Sequence, residues 1–161
     1  MSVDFESIFQ HVIPMEGFGR KWRFTEENYD MLPGQDLEQL KPLDQEAAEF
    51  LNDYISTAGL HHDVPFTKGF FKTTDHIRIS DGNEKEIKKW LYQRGLPFDK
   101  PVFLSWDQTD AMIVPWNLVV KYFDSFYYGV SDDLTIMDQS LNWAVLFFHE
   151  NQIYFGSNTD F

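Results

Sequence analysis

The sequence contains no cysteine, which removes disulfides, thiolate zinc sites, iron–sulfur clusters and cysteine nucleophiles together. It also lacks a long apolar run. The longest, Trp143–Phe148, falls far short of the roughly 20 residues of a membrane helix, so no membrane span is expected. The start, Met1-Ser2-Val3-Asp4-Phe5-Glu6, places acids where an export signal has bases followed by an apolar stretch, and a cytoplasmic location is expected. No repeat, low-complexity tract or Gly/Ser/Pro-rich linker divides the 161 residues. A chain of this length can bury roughly 70% of its unfolded surface in one core, so residues 1–161 read as a single α+β domain.

Positive charge is scarce as well. Thirteen Lys and Arg face 26 Asp and Glu, for a net charge of −13, and such a surface repels a phosphate backbone. A nucleic-acid partner is not expected. The imbalance is uneven: Lys121 is the one base after residue 100, against eight acids, whereas the first 100 residues hold twelve bases and eighteen acids. The C-terminal part reads as the electronegative part, suited to steering a basic protein partner.

What the sequence has in abundance is aromatic surface, with 16 Phe, 7 Tyr and 5 Trp. Most of it belongs in a core, and the rest is material for anchoring an interface. Ala47, Phe50, Leu51, Tyr54, Ile55 and Ala58 recur at helical spacing, with Asp44 as N-cap and Gly59 as stop. Residues 73–79 alternate as a short strand. Asp81 and Glu84 have the spacing of a capping box before a helix through Ile87, Trp90 and Leu91 that Gly95 ends. Beyond Pro101 the pattern turns to strands: 102–106 and 111–114 as a hairpin, then a helix from Pro115 until Gly129, then 134–137, 143–148 and 153–155. The expected architecture is a mainly antiparallel sheet from the C-terminal half, with helices packed on one face.

Candidate chemistry is sparse. His61, His62, His76 and His149, with neighbouring acids, are the one metal-like grouping, but no H-x-H or H-E-x-x-H spacing is present, so convergence would rest on the fold alone. No cofactor is expected. The pairs Asp107/Asp110 and Asp132/Asp133 read as turn-forming aspartates. Gly17-Phe18-Gly19 followed by Arg20-Lys21-Trp22-Arg23 lacks the phosphate-loop pattern and reads as a turn entering a strand whose bases pair with the protein's own acids. No nucleophile elbow surrounds a serine, and Ser105 reads as an ordinary strand residue. Tyr127-Tyr128 before Gly129 reads as partly exposed. With Asp132 and Asp133 at a rim and Trp116 as anchor, it forms the expected partner-binding set.

The run Asp138-Gln139-Ser140-Leu141-Asn142-Trp143-Ala144, with His149-Glu150 and Tyr154-Phe155-Gly156, resembles an uncharacterised bacterial family of short acidic proteins classed as a domain of unknown function. Trp90-Leu91, Pro97-Phe98 and Val102-Phe103-Leu104-Ser105-Trp106 extend the likeness over roughly the last half of the chain. It implies a small bacterial α+β protein and brings no activity with it. The same tail also resembles the sheet segment of bacterial immunity proteins of the SUKH superfamily, which cover toxins with an acidic, aromatic surface. That likeness implies a noncatalytic immunity-like or regulatory module. The alternative from the residues themselves is a small metal-dependent enzyme using the histidines with a carboxylate.

Overall fold

Strand β6 (Trp143–Phe148) dictates the architecture. Trp143, Val145 and Phe147 lie on one side of it, Ala144 and Leu146 on the other, and all five are buried. A strand apolar on both faces needs cover on both. The computed structural model, which describes residues 3–26, 32–129 and 132–158, provides it.

The sheet has seven strands, each pairing antiparallel, in the order β1-β4-β3-β5-β6-β7-β2. These are β1 (Lys41–Pro42), β2 (Thr73–Arg78), β3 (Pro101–Ser105), β4 (Ala111–Pro115), β5 (Leu134–Met137), β6 and β7 (Gln152–Ser157). The mainly C-terminal, antiparallel α+β design is as the sequence predicts. The placement of the helices differs. One face packs against α1 (Trp22–Thr25), α4 (Glu84–Tyr92), α5 (Trp116–Lys121) and α6 (Phe123–Phe126), through Phe24, Ile87, Leu91, Trp116 and Phe126 on Leu104, Ile136, Val145 and Phe147. The opposite face packs against α3 (Gln45–Ala58), whose Ala47, Ala48, Leu51 and Ile55 meet Phe103, Ile113, Met137 and Leu146. Helices on one face alone would have left Phe103, Met137 and Leu146 in water.

The longest helix is the most local in origin. In α3 the Asp44 carboxylate accepts from the Ala47 N–H at 2.9 Å, and Gly59 ends the helix in the left-handed region at φ 74°. By contrast, α4 begins after the expected capping box. Asp81 and Gly82 stay in a turn, and Asn83 bonds backward, accepting from Ser80 N–H at 3.0 Å and donating to the Arg78 carbonyl at 2.9 Å. The helix expected from Pro115 is broken at Tyr122, which leaves helical geometry and donates its hydroxyl to Asp36. The strand expected after the basic patch is instead the short α1, and the region up to about residue 31 lies partly outside the described residues. Beside β7 the Phe71 ring lies over Gly156, where a Cβ would collide with it.

Candidate functional site

On the α3 side, strand pairing lines up Ala111, Ser105, Thr135, Leu146, Tyr154 and His76 in one row across the sheet. Ser105 and Thr135 put two adjacent hydroxyls in the middle of that row. Ala111, Ser105, Thr135 and Leu146 are each less than a tenth exposed, yet α3 does not seal them. Asn52 and Ile55 of α3 border them on one side, and after Gly59 the chain loops back to form a wall. The result is an open cavity of about 230 Å³, lined by Asn52 and Ile55 of α3, His61, Val64 and Pro65 of the loop, Ser105, Thr135, Leu146 and Phe148 of the sheet, and Trp106 and Asp133 beside it.

The wall is held by its own short bonds. Thr67 N–H donates to the Leu60 carbonyl at 2.8 Å, its hydroxyl donates to the Gly59 carbonyl, and His62 N–H donates to the Thr67 hydroxyl at 2.9 Å. Within it His61 bridges loop and sheet. Its Nδ1 lies 2.7 Å from the Pro65 carbonyl and its Nε2 3.0 Å from Thr135 Oγ1. A carbonyl can only accept, so the proton sits on Nδ1, and the bare Nε2 accepts from the Thr135 hydroxyl. Burial holds the His61 pKa below the ordinary value of 6.5, outweighing the Pro65 carbonyl and the Asp133 charge, which pull the other way. The imidazole is therefore neutral at pH 7. The Pro65 carbonyl fixes the tautomer without the full negative charge that would stabilise an imidazolium, so the pair orients the Thr135 oxygen and holds it still. That oxygen keeps its lone pairs toward the cavity. The Ser105 hydroxyl, 6% exposed as a residue, bonds to no described residue.

The residues singled out in the sequence divide sharply. Trp116, Tyr127 and Asp132 are buried, at 0%, 5% and 3% exposure, so Tyr127 and Asp132 form no rim and Trp116 no exposed anchor. Trp116 packs edge-on to Trp143 inside the larger core. Tyr127 turns inward because of two neighbouring residues in extended backbone only one can face water. Its hydroxyl donates to the Phe148 carbonyl and accepts from Asn151 N–H at 3.2 Å, and burial pushes its pKa up to about 12. Asp132 is the bidentate partner of buried Arg23, at 2.5 and 3.0 Å, with the Trp22 and Tyr128 rings 5.1 and 4.1 Å from the guanidinium carbon. Tyr128 is half-buried there, whereas Asp133 is exposed at the cavity mouth. The histidines do not gather. His62 stands beside Gly59, His76 lies on β2 against the Tyr154 ring, and His149 binds Asp133 at 3.0 Å. Among the described residues no three His, Asp or Glu side chains form a metal-holding group.

The charge asymmetry along the chain also dissolves in space. Asp107 and Asp110 take Arg20, Asp132 takes Arg23, and Asp138 takes Lys100 at 3.3 Å. Burial raises the Asp138 pKa, but hydrogen bonds from Ser140, Trp143 and Lys100 outweigh it and hold the carboxyl below its ordinary value of 3.8. Four of the eight C-terminal acids are thus counterions for bases from the first 100 residues. Part of the surplus gathers on α3 and the loop behind it: Glu46, Glu49, Asp53 and Asp63 are exposed and form no ion pair among the described residues, and no Lys or Arg occurs between Pro42 and Lys68.

Sequence reasoning found His61 and Asp133 but not Ser105, Thr135 or Asn52. A hydroxyl within an apolar strand is the one signal for Ser105 and Thr135, and nothing local singles out Asn52. Compared with known proteins, the chain matches no protein-family model, no curated protein and no solved structure, so the fold and the site rest on its own residues. No helix among the described residues is long and apolar enough to cross a membrane.

Proposed function

We propose that the chain is a noncatalytic protein-binding module, immunity-like or regulatory in role, that holds a basic partner against the outer surface of α3 and the loop behind it. The uncompensated acids of that surface support this most. Glu49 and Asp53 stand one turn apart on α3, where like charges cost a helix about 0.2–0.5 kcal/mol. A helix shaped for stability alone mixes its signs, as α4 does with Glu84, Lys85, Glu86, Lys88 and Lys89. The acid-only surface of α3 instead gives a long-range field that draws a basic protein and rejects an acidic one.

The test uses the purified chain as bait at low and high salt, beside Glu46→Lys/Glu49→Lys/Asp53→Lys on α3 and Glu84→Lys/Glu86→Lys on α4. A basic partner kept by the parent and the α4 variant, weakened by salt and lost by the α3 variant is the expected result. Equal capture of that partner by the α3 variant would refute the reading.

A further inference from the structure

We infer that the cavity behind α3 receives a lysine side chain of the partner, with its ammonium held by the hydroxyls of Ser105 and Thr135 and the carboxylate of Asp133. The source of the lysine rests on the docking reading above; the chemistry of the cavity does not. Ile55, Val64, Pro65, Leu146 and Phe148 form apolar walls that match an aliphatic stem, and no Lys or Arg lines the site. The polar atoms facing it can all accept. Ser105, 6% exposed as a residue, has no hydrogen-bond partner for its Oγ among the described residues, Thr135 Oγ1 has spent only its proton on His61, and Asn52 adds an amide to the lining. A hydroxyl with no protein partner that lines a cavity is free to bond a ligand group there.

Lysine fits better than arginine because of how the acceptors are laid out. Asp133 Oδ1 already accepts from the His149 N–H at 2.9 Å and stands 3.0 Å from its Nδ1, which leaves Oδ2 as a single free carboxylate oxygen. Asp133 stands just ahead of β5, which begins at Leu134, and lines the same cavity as Thr135, which pairs directly with Ser105. The site therefore offers separate single-atom acceptors. That suits the compact, rotatable three-donor ammonium, whereas a guanidinium fork seeks both oxygens of a free carboxylate. Neutral His61 adds no repulsion.

The experiment titrates the isotopically labelled full chain with N-acetyl-lysine-N-methylamide, and with the arginine and norleucine analogues, following backbone amide shifts. Shifts centred on His61, Ser105, Asp133 and Thr135, with lysine binding about tenfold tighter than norleucine, are expected, since a charged hydrogen bond is worth that factor. Asp133→Asn should weaken lysine about tenfold and Ser105→Ala about threefold, while norleucine binding stays unchanged. Norleucine equal to lysine would overturn the inference, as would arginine equal to or tighter than lysine, or no shift at those residues. The analogue comparison needs no variant and survives a failure of either one to fold. Failure here with partner capture still lost in the α3 variant would leave the docking surface standing without its pocket. Lysine bound in the cavity with capture unaffected by that variant would sink the docking surface alone.

Discussion

On the α4 and α5 side, the sheet is sealed by four helices, its core carries Trp116, Trp143 and Phe126, and even its charges are locked into the buried pair of Arg23 and Asp132. On the α3 side, a single long helix covers a smaller core, leaves two hydroxyls at the bottom of an open cavity, and shows acids alone to solvent. The same strands serve both sides. One face pairs its charges inside the core, although Arg23 Nε and Trp116 Nε1 stay buried there without a partner among the described residues, and the other leaves like charges unrelieved on α3, which is how a surface kept for recognition differs from one kept for packing.

That contrast can be broken first where it is steepest. Arg23→Ala strands Asp132 in the sealed core and should cost about 3–5 kcal/mol in urea unfolding; a loss under about 1 kcal/mol would mean that side is less sealed than its burial implies. Leu51→Ala empties the core under α3 and should cost about 2–5 kcal/mol. If the two faces form one cooperative unit, both variants shift a single transition seen alike by far-UV and near-UV circular dichroism. Separate transitions would split the molecule into two units. Tyr127→Phe leaves the Asn151 N–H without its acceptor and should cost about 1–3 kcal/mol. It also carries a pH signature: because the folded pKa is about 12 against an ordinary 10.0, the contribution is full below 10.0 and is lost as pH rises through about 12. The alkaline decline of stability should therefore be shallower in the variant.

The open side should respond to acid. The folded pKa of His61 lies below the ordinary 6.5, so the unfolded chain takes up the proton first, and stability present above 6.5 falls as pH drops through the folded value. Asp133, paired with His149, is the charged group facing His61 across the cavity and limits the fall. His61→Gln should flatten that acid-side slope relative to the parent; an unchanged slope would show that the imidazole is not what senses pH there. The smallest effect is the most telling. Asp53→Lys removes the repulsion with Glu49 and should raise stability by up to about 0.5 kcal/mol while weakening the proposed partner. Stability and binding moving in the same direction would undo the contrast between the faces.

How much of this could be read from the sequence follows from how local each feature is. Helix α3 was legible with both its caps, because spacing, Asp44 and Gly59 act within a few residues of one another. The hairpin of β3 and β4, the β6–β7 pair and the alternation of β2 were legible for the same reason. The two-sided cover was not, since nothing local tells a helix which face of a distant sheet to take. Tyr127 and Asp132 looked like surface residues because Tyr128, Gly129 and Asp133 beside them do reach it. Arg23 was recognised as a base that would pair with the protein's own acids, but not as one that would do so inside the core with a carboxylate 109 residues away. Ser105 and Thr135 looked ordinary because the register that places them side by side exists only once β3 and β5 have met.

The position of α3 also sets an order in time. Its cap and apolar stripe are complete once residue 59 has been made, yet Phe103, Ile113, Met137 and Leu146, the surface it rests on, are synthesised later. Strand β2 likewise waits for β7, its neighbour in the sheet, which is made much later. A ribosome would therefore release α3 and β2 before the strands that each rests on had been made, and both would wait, unsupported on that side, for the later chain to arrive.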